Sequence, residues 1–502
     1  MEALKEKTIR AGFVKAWSQA GMFLLRIGTL MVLARLLEPK DFGLVAMVTV
    51  VTGVFQLFQD AGLSLATVQR PTITNDQIST LFWVNVLVGT FLGLLSLALA
   101  PVLVSFYHEP RLFWVTVLSA AGFIINAAGV QHGALLQRQM RFTALAVIEI
   151  VSFSVGGIVG IGMALAGFGY WSLLGYSIAP TFTSTVCLWL SARWIPGRFH
   201  RRVGAWSMIG FGGQVTLNSV VGYAASNLDK MLLGRAWGSE ALGIYGRAFQ
   251  LINIPRENLN SAVGLVAMAA LSRLQDDRER FRSYFLKGYA LVLALVVPMT
   301  VAAALLADEI VAVVLGPAWK ESAVLLRLLA PTVLIFGLIY PLRWLLFALG
   351  LVGKGLRIAV VLGAIAAVSY FLGLPYGPRG LALAYSIAMV AWAVPHMIWS
   401  VRGTMVSFGD LVEVASKPVL AALGGGAVAF AANITLGRGL PALARLAIGG
   451  GILGFVYLGI LLFGMHQKEF YGDLVRNMFR RPRAAGTGVE PASETAIEPG
   501  PS

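Results

Sequence analysis

Seven basic side chains lie within stretches that are otherwise apolar: Lys15, Arg26, Lys230, Arg247, Arg256, Arg327 and Arg343. Acidic residues in such stretches are fewer, namely Asp60, Glu149, Asp229 and Glu257. Inside a bilayer each charge costs at least about 2.5–3.5 kcal/mol on insertion scales, so each must face a partner or a wet cavity. Neighbours in sequence do not cancel one another. Asp229 and Lys230 are adjacent, as are Arg256 and Glu257, and adjacent residues on a helix point about 100° apart. Lys15 and Arg26 are about three turns apart and share one face of a stretch without an acid. The surplus is positive, and the chemistry it offers is anion binding, above all to phosphate oxygens, which the planar Arg fork fits. The candidate substrate-binding residues are therefore Arg26, Arg256, Lys15 and Lys230.

Each candidate has a plainer alternative. Lys15, Arg247 and Arg343 lie near stretch ends, where a long side chain reaches water. Asp229 is either a structural counter-ion or a proton or sodium coupling site. Glu257 and Glu149 are further coupling or counter-ion candidates, and Glu149 fits pairing with a neighbouring helix. Arg256 follows Pro255, which is expected to break its helix and free backbone groups for water or ligand. No catalytic set, metal site or cofactor is expected. Cys187 is the single cysteine, which excludes an internal disulfide and multi-thiolate metal sites. There is no Walker A sequence, no His-Glu-x-x-His and no nucleotide-binding glycine pattern. The chain does not read as an enzyme.

The elements that must position these charges are membrane helices. Of the 502 residues, 57% are hydrophobic and 13% charged, against about 25% charged in soluble domains; mean hydropathy is +0.77. Fourteen apolar runs, each about long enough to span, fall near 12–35, 42–64, 79–104, 112–135, 144–167, 170–192, 208–234, 243–270, 285–307, 322–349, 356–374, 380–400, 415–436 and 442–464. Placing both termini in the cytoplasm and alternating puts 24 basic loop residues inside and 8 outside, the bias expected of short loops. The net charge of +15 is thus spread over loops, and nucleic acid is not an expected partner. The turn Arg35–Asp41 lies on the outer side. The longest outer loop, near 308–321, carries Asp308, Glu309 and Glu321. Residues after Arg480 are rich in Pro, Gly, Ala and Glu without periodicity, as in a disordered tail.

The sequence also repeats. At an offset of 200, Gly12 meets Gly212, Met31 meets Met231, Leu33 meets Leu233, Arg35 meets Arg235 and Gly43 meets Gly243, without a gap. Further on, "LAPVLVSFYHEP" (99–110) matches "LADEIVAVVLGP" (306–317) at 207. Six runs separate the paired turns, so the copies share one orientation and are related by an axis along the membrane normal. The expected fold is an all-α polytopic membrane protein of about 14 helices. Its organisation would be a six-helix lobe over 1–192, a cytoplasmic linker over 193–207 and a second six-helix lobe over 208–400. Two added helices follow over 401–465, with a cytoplasmic tail over 466–502.

Two segments carry a family likeness. "VLARLLEPKDFGLVAMVTVVTGVFQLFQDAGLSLATVQR" (32–70) and "NLDKMLLGRAWGSEALGIYGRAFQLINIPREN" (227–258) resemble matching segments of the polysaccharide exporters and oligosaccharide flippases. Those proteins belong to the multidrug/oligosaccharidyl-lipid/polysaccharide superfamily, and the nearest branch is of colanic acid and succinoglycan type. The likeness covers roughly residues 8–410 in layout. It implies an inner-membrane protein that flips polyprenyl-diphosphate-linked oligosaccharide units to the outer leaflet by alternating access. It also implies that Arg26 and Arg256, on the first and eighth helices, line the cavity, and that membrane lipids, a polymerase and a co-polymerase are partners. Three rivals are a cation-coupled multidrug antiporter, which would want acids in its cleft, a membrane glycosyltransferase or polymerase, which needs a larger catalytic outer loop, and a non-transporting assembly scaffold, which would leave the buried bases without a purpose.

Overall fold

The computed structural model describes residues 21–59, 63–70, 72–199, 206–437 and 439–472. Lys15 and the tail from 473 lie outside the described residues, and the side chains of Arg256 and Glu257 are likewise not described. Every regular element among the described residues is helical. In chain order they are α1 (21–36), α2 (Pro39–Gln56), α3 (Leu63–Gln69), α4 (Asn75–Tyr107), α5 (Leu112–Arg138), α6 (Phe142–Leu165), α7 (Trp171–Ala192) and α8 (Trp206–Ser272). There follow α9 (Arg278–Leu305), α10 (Ala307–Val314), α11 (Lys320–Ile339), α12 (Pro341–Ala348), α13 (Val352–Gly373), α14 (Gly377–Val401), α15 (Phe408–Leu436) and α16 (Ala442–Gly459). Nine helical segments among the described residues are long and apolar enough to cross a membrane. The protein is a multi-pass membrane protein.

Local sequence explains where these helices begin. Thr74 accepts a hydrogen bond from the Gln77 amide at 3.3 Å, while the Gln77 side chain accepts one from the Thr74 amide at 3.0 Å. Ser407 and Asp410 do the same for α15, at 3.1 and 2.9 Å. Each reciprocal pair satisfies donors that a helix start leaves open. The charges of the 35–41 turn have the same use: Asp41 accepts from the Glu38 amide at 3.2 Å, and Pro39 opens α2.

The helices pack in two groups joined by a seam. α4 packs on α5, and α7 on both α5 and α6; α9, α13 and α14 pack with α11 or with each other; α15 and α16 pair beside α9. The seam is α2 lying along α8. Outward faces stay greasy, as at Ile158 (71% exposed) and Leu190 (70%), which suits contact with lipid tails.

Two expectations about chain breaks need correction. The helix does not break at Pro255: α8 runs on through it, and its break is at Gly238. Gly238 takes φ 79° and ψ −173°, a conformation only glycine adopts cheaply. The segment 308–321 is not a loop. It holds α10 and a turn of 3-10 helix at Pro317–Trp319, and Trp319 is fully buried.

Candidate functional site

The repeat meets itself at the turn. A Cβ added to Gly43 would lie 1.7 Å from the carbonyl oxygen of Ser239, and one added to Gly243 would lie 1.9 Å from that of Pro39. Residues 39 and 239, and 43 and 243, are equivalents at the offset of 200. The contact is therefore reciprocal, as across a two-fold axis. A second exchange repeats the pattern. Arg35 donates to the Val313 carbonyl at 2.6 Å, while its equivalent Arg235 sits 5.7 Å from the ring centroid of Phe106, the residue equivalent to Val313 at the offset of 207. Trp319 adds a bond from Nε1 to the Ala34 carbonyl at 2.7 Å and an edge contact to Phe42. Two helix backbones this close leave no path between them, so this end of the seam is sealed.

Beyond the seal, α1 and the two arms of α8 part around a cavity of about 380 Å³. Arg26 and Lys230 line it, together with Phe249, Gln250 and Asn253, and no carboxylate is among its described lining residues. Among the described residues neither Arg26 nor Lys230 makes an ion pair. The Arg26 guanidinium lies 4.7 Å from the Phe153 ring centroid. Lys230 donates to Asn227 Oδ1 at 2.8 Å and lies 5.3 Å from the Phe249 ring centroid. Both bases are held by neutral groups rather than by ion pairs; the Asp229 carboxyl interacts with Lys230 from outside the cavity, and the lining itself keeps a positive surplus, which attracts an anion.

The sequence candidates separate in space. Arg26 and Lys230 come together in the cavity. Asp229, fully buried, turns away from it and accepts a hydrogen bond from Tyr245 at 2.8 Å, while its other oxygen has no hydrogen-bond partner among the described residues. It neutralises neither cavity base through an ion pair. Glu149 lines a different cavity and pairs with no described cation. Arg247 does not reach out to water: it packs 4.2 Å from the Phe42 ring centroid and donates to Gln250. Arg327 pairs with Asp308 at 2.8 Å. The sequence reading missed Gln250 and Asn253. Their signal was present, two amides three positions apart in an apolar run, hence on one helix face.

The comparisons agree with this architecture. Residues 32–324 match the family described as polysaccharide biosynthesis protein. An uncharacterized membrane protein from the cps region of Klebsiella pneumoniae is 30% identical over 335 residues, 65% of this chain and 68% of that protein. The succinoglycan biosynthesis transport protein ExoT of Rhizobium meliloti is 26% identical, covering 94% of this chain and 96% of its own length. The lipopolysaccharide biosynthesis protein WzxC of Escherichia coli is 24% identical over 69% of this chain and 71% of its own. Among solved structures, the lipid II flippase MurJ in an inward closed conformation superposes with a TM-score of 0.69 at 14% identity, over 93% of this chain and all of that one. An inward-facing multidrug resistance MATE transporter superposes with 0.61 at 12% identity, over 78% of this chain and 95% of that one. These two show a shared fold.

Proposed function

The chain belongs to the polysaccharide biosynthesis protein family, and from that premise we propose that it is a flippase for polyprenyl-diphosphate-linked oligosaccharide units. It is a transporter, not an enzyme. It sits in the bacterial inner membrane with both termini in the cytoplasm, crosses fourteen times, and moves its cargo from the inner to the outer leaflet. The lobes over 1–192 and 208–400 rock about the seam, with the helices over 401–465 appended. The sealed turn then faces outward and the cavity faces the cytoplasm.

The observation that carries this reading is the pairing of Arg26 and Lys230 in one cavity whose described lining holds no acid. A diphosphate headgroup satisfies both bases, and the polyprenyl tail stays in lipid. The same observation weighs against a cationic drug as cargo, because like charges in a low-dielectric cleft repel. By sequence position Lys15 precedes α1, and Arg256 and Glu257 lie on α8; we assign all three to the same charge system. Asp229 is the proton or sodium coupling candidate. A polymerase and co-polymerase would take up the flipped unit.

The test is export of surface polysaccharide in cells whose own copy is deleted. Arg26→Ala, Lys230→Ala and Arg256→Ala should each reduce it strongly at equal membrane protein level. Undiminished export by the Arg26→Ala/Lys230→Ala double variant would remove the anion-cavity reading.

A further inference from the structure

A second cavity, of about 690 Å³, lies among α3, α5, α6 and α7, within the first helix group. That size is within the about 300–1,000 Å³ typical of small-molecule sites. Its exposed lining is mostly apolar, and Asn126, Ser152, Ser177, Thr181 and Ser184 are set into it around the single carboxylate of Glu149. The same helices turn apolar side chains outward, including Val147, Val151 and Ile158 on α6 and Phe182 and Leu190 on α7. The polar face is thus not the lipid face.

Two features point to an occupant. Ser152 is 2% exposed, yet its hydroxyl has no hydrogen-bond partner among the described residues. A buried polar group left unpaired is destabilising, and a ligand hydroxyl bonded to it removes that cost. Phe153, the next residue, lines this cavity and also carries the Arg26 guanidinium on its ring. Arg26, which lines the first cavity, therefore touches Phe153, which lines this one.

We propose that this cavity is a glycan subsite, which holds the first sugar rings joined to a diphosphate bound at Arg26 and Lys230. The inference rests on the flippase reading for that diphosphate. The chemistry is that of polyol recognition. Glu149 accepts hydrogen bonds from ring hydroxyls, Asn126 and the Ser152 and Ser184 hydroxyls both donate and accept, the Ser177 and Thr181 hydroxyls, which donate to the Leu174 and Ser177 carbonyls, still accept, and the faces of Phe153 and Tyr176 offer apolar surface to a sugar ring. A carboxylate at this position disfavours an acidic sugar. The sugar at the reducing end would be a neutral one, and the site selects cargo by its hydroxyl pattern.

Purified full-length protein in detergent can be titrated with pyrophosphate, UDP and a panel of UDP-linked glucose, galactose, N-acetylglucosamine and glucuronic acid. Pyrophosphate affinity reports on Arg26 and Lys230 and serves as the reference. At least one neutral UDP-sugar should bind more tightly than UDP, and UDP-glucuronic acid should be the weakest of the four. Glu149→Gln and Ser152→Ala should each lower the affinity ratio of that sugar nucleotide to UDP, Glu149→Gln by roughly 10-fold or more, since bonds to charged groups carry about 1.5–3 kcal/mol. Ser152→Ala removes a hydroxyl that is unpaired without ligand, so the protein should fold at least as stably as wild type. If pyrophosphate binds but no sugar adds affinity over UDP, or both variants keep the wild-type ratio, the subsite is refuted and the flippase reading stands. If Glu149→Gln instead abolishes a pH dependence of pyrophosphate binding and keeps the sugar ratio, Glu149 is a coupling group and the subsite is also refuted. If pyrophosphate itself does not bind, both readings fall.

Discussion

Gly43→Ala should open the seal. The added methyl would sit 1.7 Å from the Ser239 carbonyl oxygen, so the two backbones must part by about 1.3 Å before that contact reaches even 3.0 Å. The obstacle is backbone, which cannot rotate aside as a side chain can. Overpacking of this kind costs about 1–3 kcal/mol. The cost falls on the sealed conformation alone, so the equilibrium should shift toward the opened one by about 5- to 150-fold. The readout is labelling of Ile27→Cys, a cavity-lining position, in a Cys187→Ser background by a membrane-impermeant maleimide added from the side of the 35–41 turn. While the opened state is a minor population, the labelling rate rises in proportion to it. Gly243→Ala should act alike, because its methyl would meet the Pro39 carbonyl at 1.9 Å in the same crossing. The double variant should add less than the sum of the two effects, since the first methyl already parts the helices. Two correctly inserted single variants that label no faster than the parent would refute the seal.

Two further outcomes follow from the same end of the molecule. Trp319→Phe removes the buried Nε1 bond to the Ala34 carbonyl; it should cost about 1–3 kcal/mol, read as a lower Tm in detergent, and should raise the same labelling rate. The Arg111 guanidinium, bonded to Glu109 at 2.8 Å, holds the Glu109 carboxyl below its ordinary range. That stabilisation is complete above the unfolded-state pKa of about 4.3 and is lost as pH falls through the lower folded-state value. Wild type should therefore exceed Glu109→Gln in Tm at neutral pH, with the two curves converging in acid. Parallel curves across that range would show that the pair contributes nothing.

Charge in the wrong solvent was the most legible feature of the sequence. Arg26 and Lys230 stood out because hydrocarbon penalises them, and the structure gives both to one cavity. The paired turns were legible as a repeat, yet nothing in the sequence required them to touch. That contact depends on Gly43 and Gly243 removing two Cβ atoms at one crossing. The break in α8 was misread for a physical reason. Proline is tolerated within membrane helices when neighbours satisfy the freed carbonyl, so Pro255 interrupts nothing, whereas Gly238 takes a backbone conformation closed to other residues. The 308–321 segment read as a loop because its three acids break the apolar run. In the fold those acids have partners: on α10, Asp308 pairs with Arg327 and Glu309 lies 3.5 Å from Arg445, and on α11, Glu321 pairs with Arg379. The hydroxyl-lined cavity was invisible, since Asn126, Ser152 and Thr181 sit on three different helices and become neighbours only through packing.

The two copies of the repeat agree where the molecule must close and differ where it must bind. At the seal, glycine faces the other copy's backbone from both sides, and Arg35 and Arg235 make equivalent crossings. In the cavity the correspondence fails. The equivalent of Arg26 is Ser226, that of Lys230 is Leu30, and those of Gln250 and Asn253 are Val50 and Gly53. A two-fold seal is stable because each half presents the same surface to the other. A cargo with a diphosphate at one end of a glycan has no such axis, and a symmetric cavity would place a second set of charges where no second diphosphate arrives. A surplus buried charge is costly, which fits a seal that matches between the two copies and a lining that does not. Making the cavity symmetric tests this order of constraint. Leu30→Lys should raise pyrophosphate affinity by adding a third cation and should slow glycan export by holding the cargo. Export that stays at the wild-type rate while pyrophosphate affinity rises would show that release from this cavity does not limit transport.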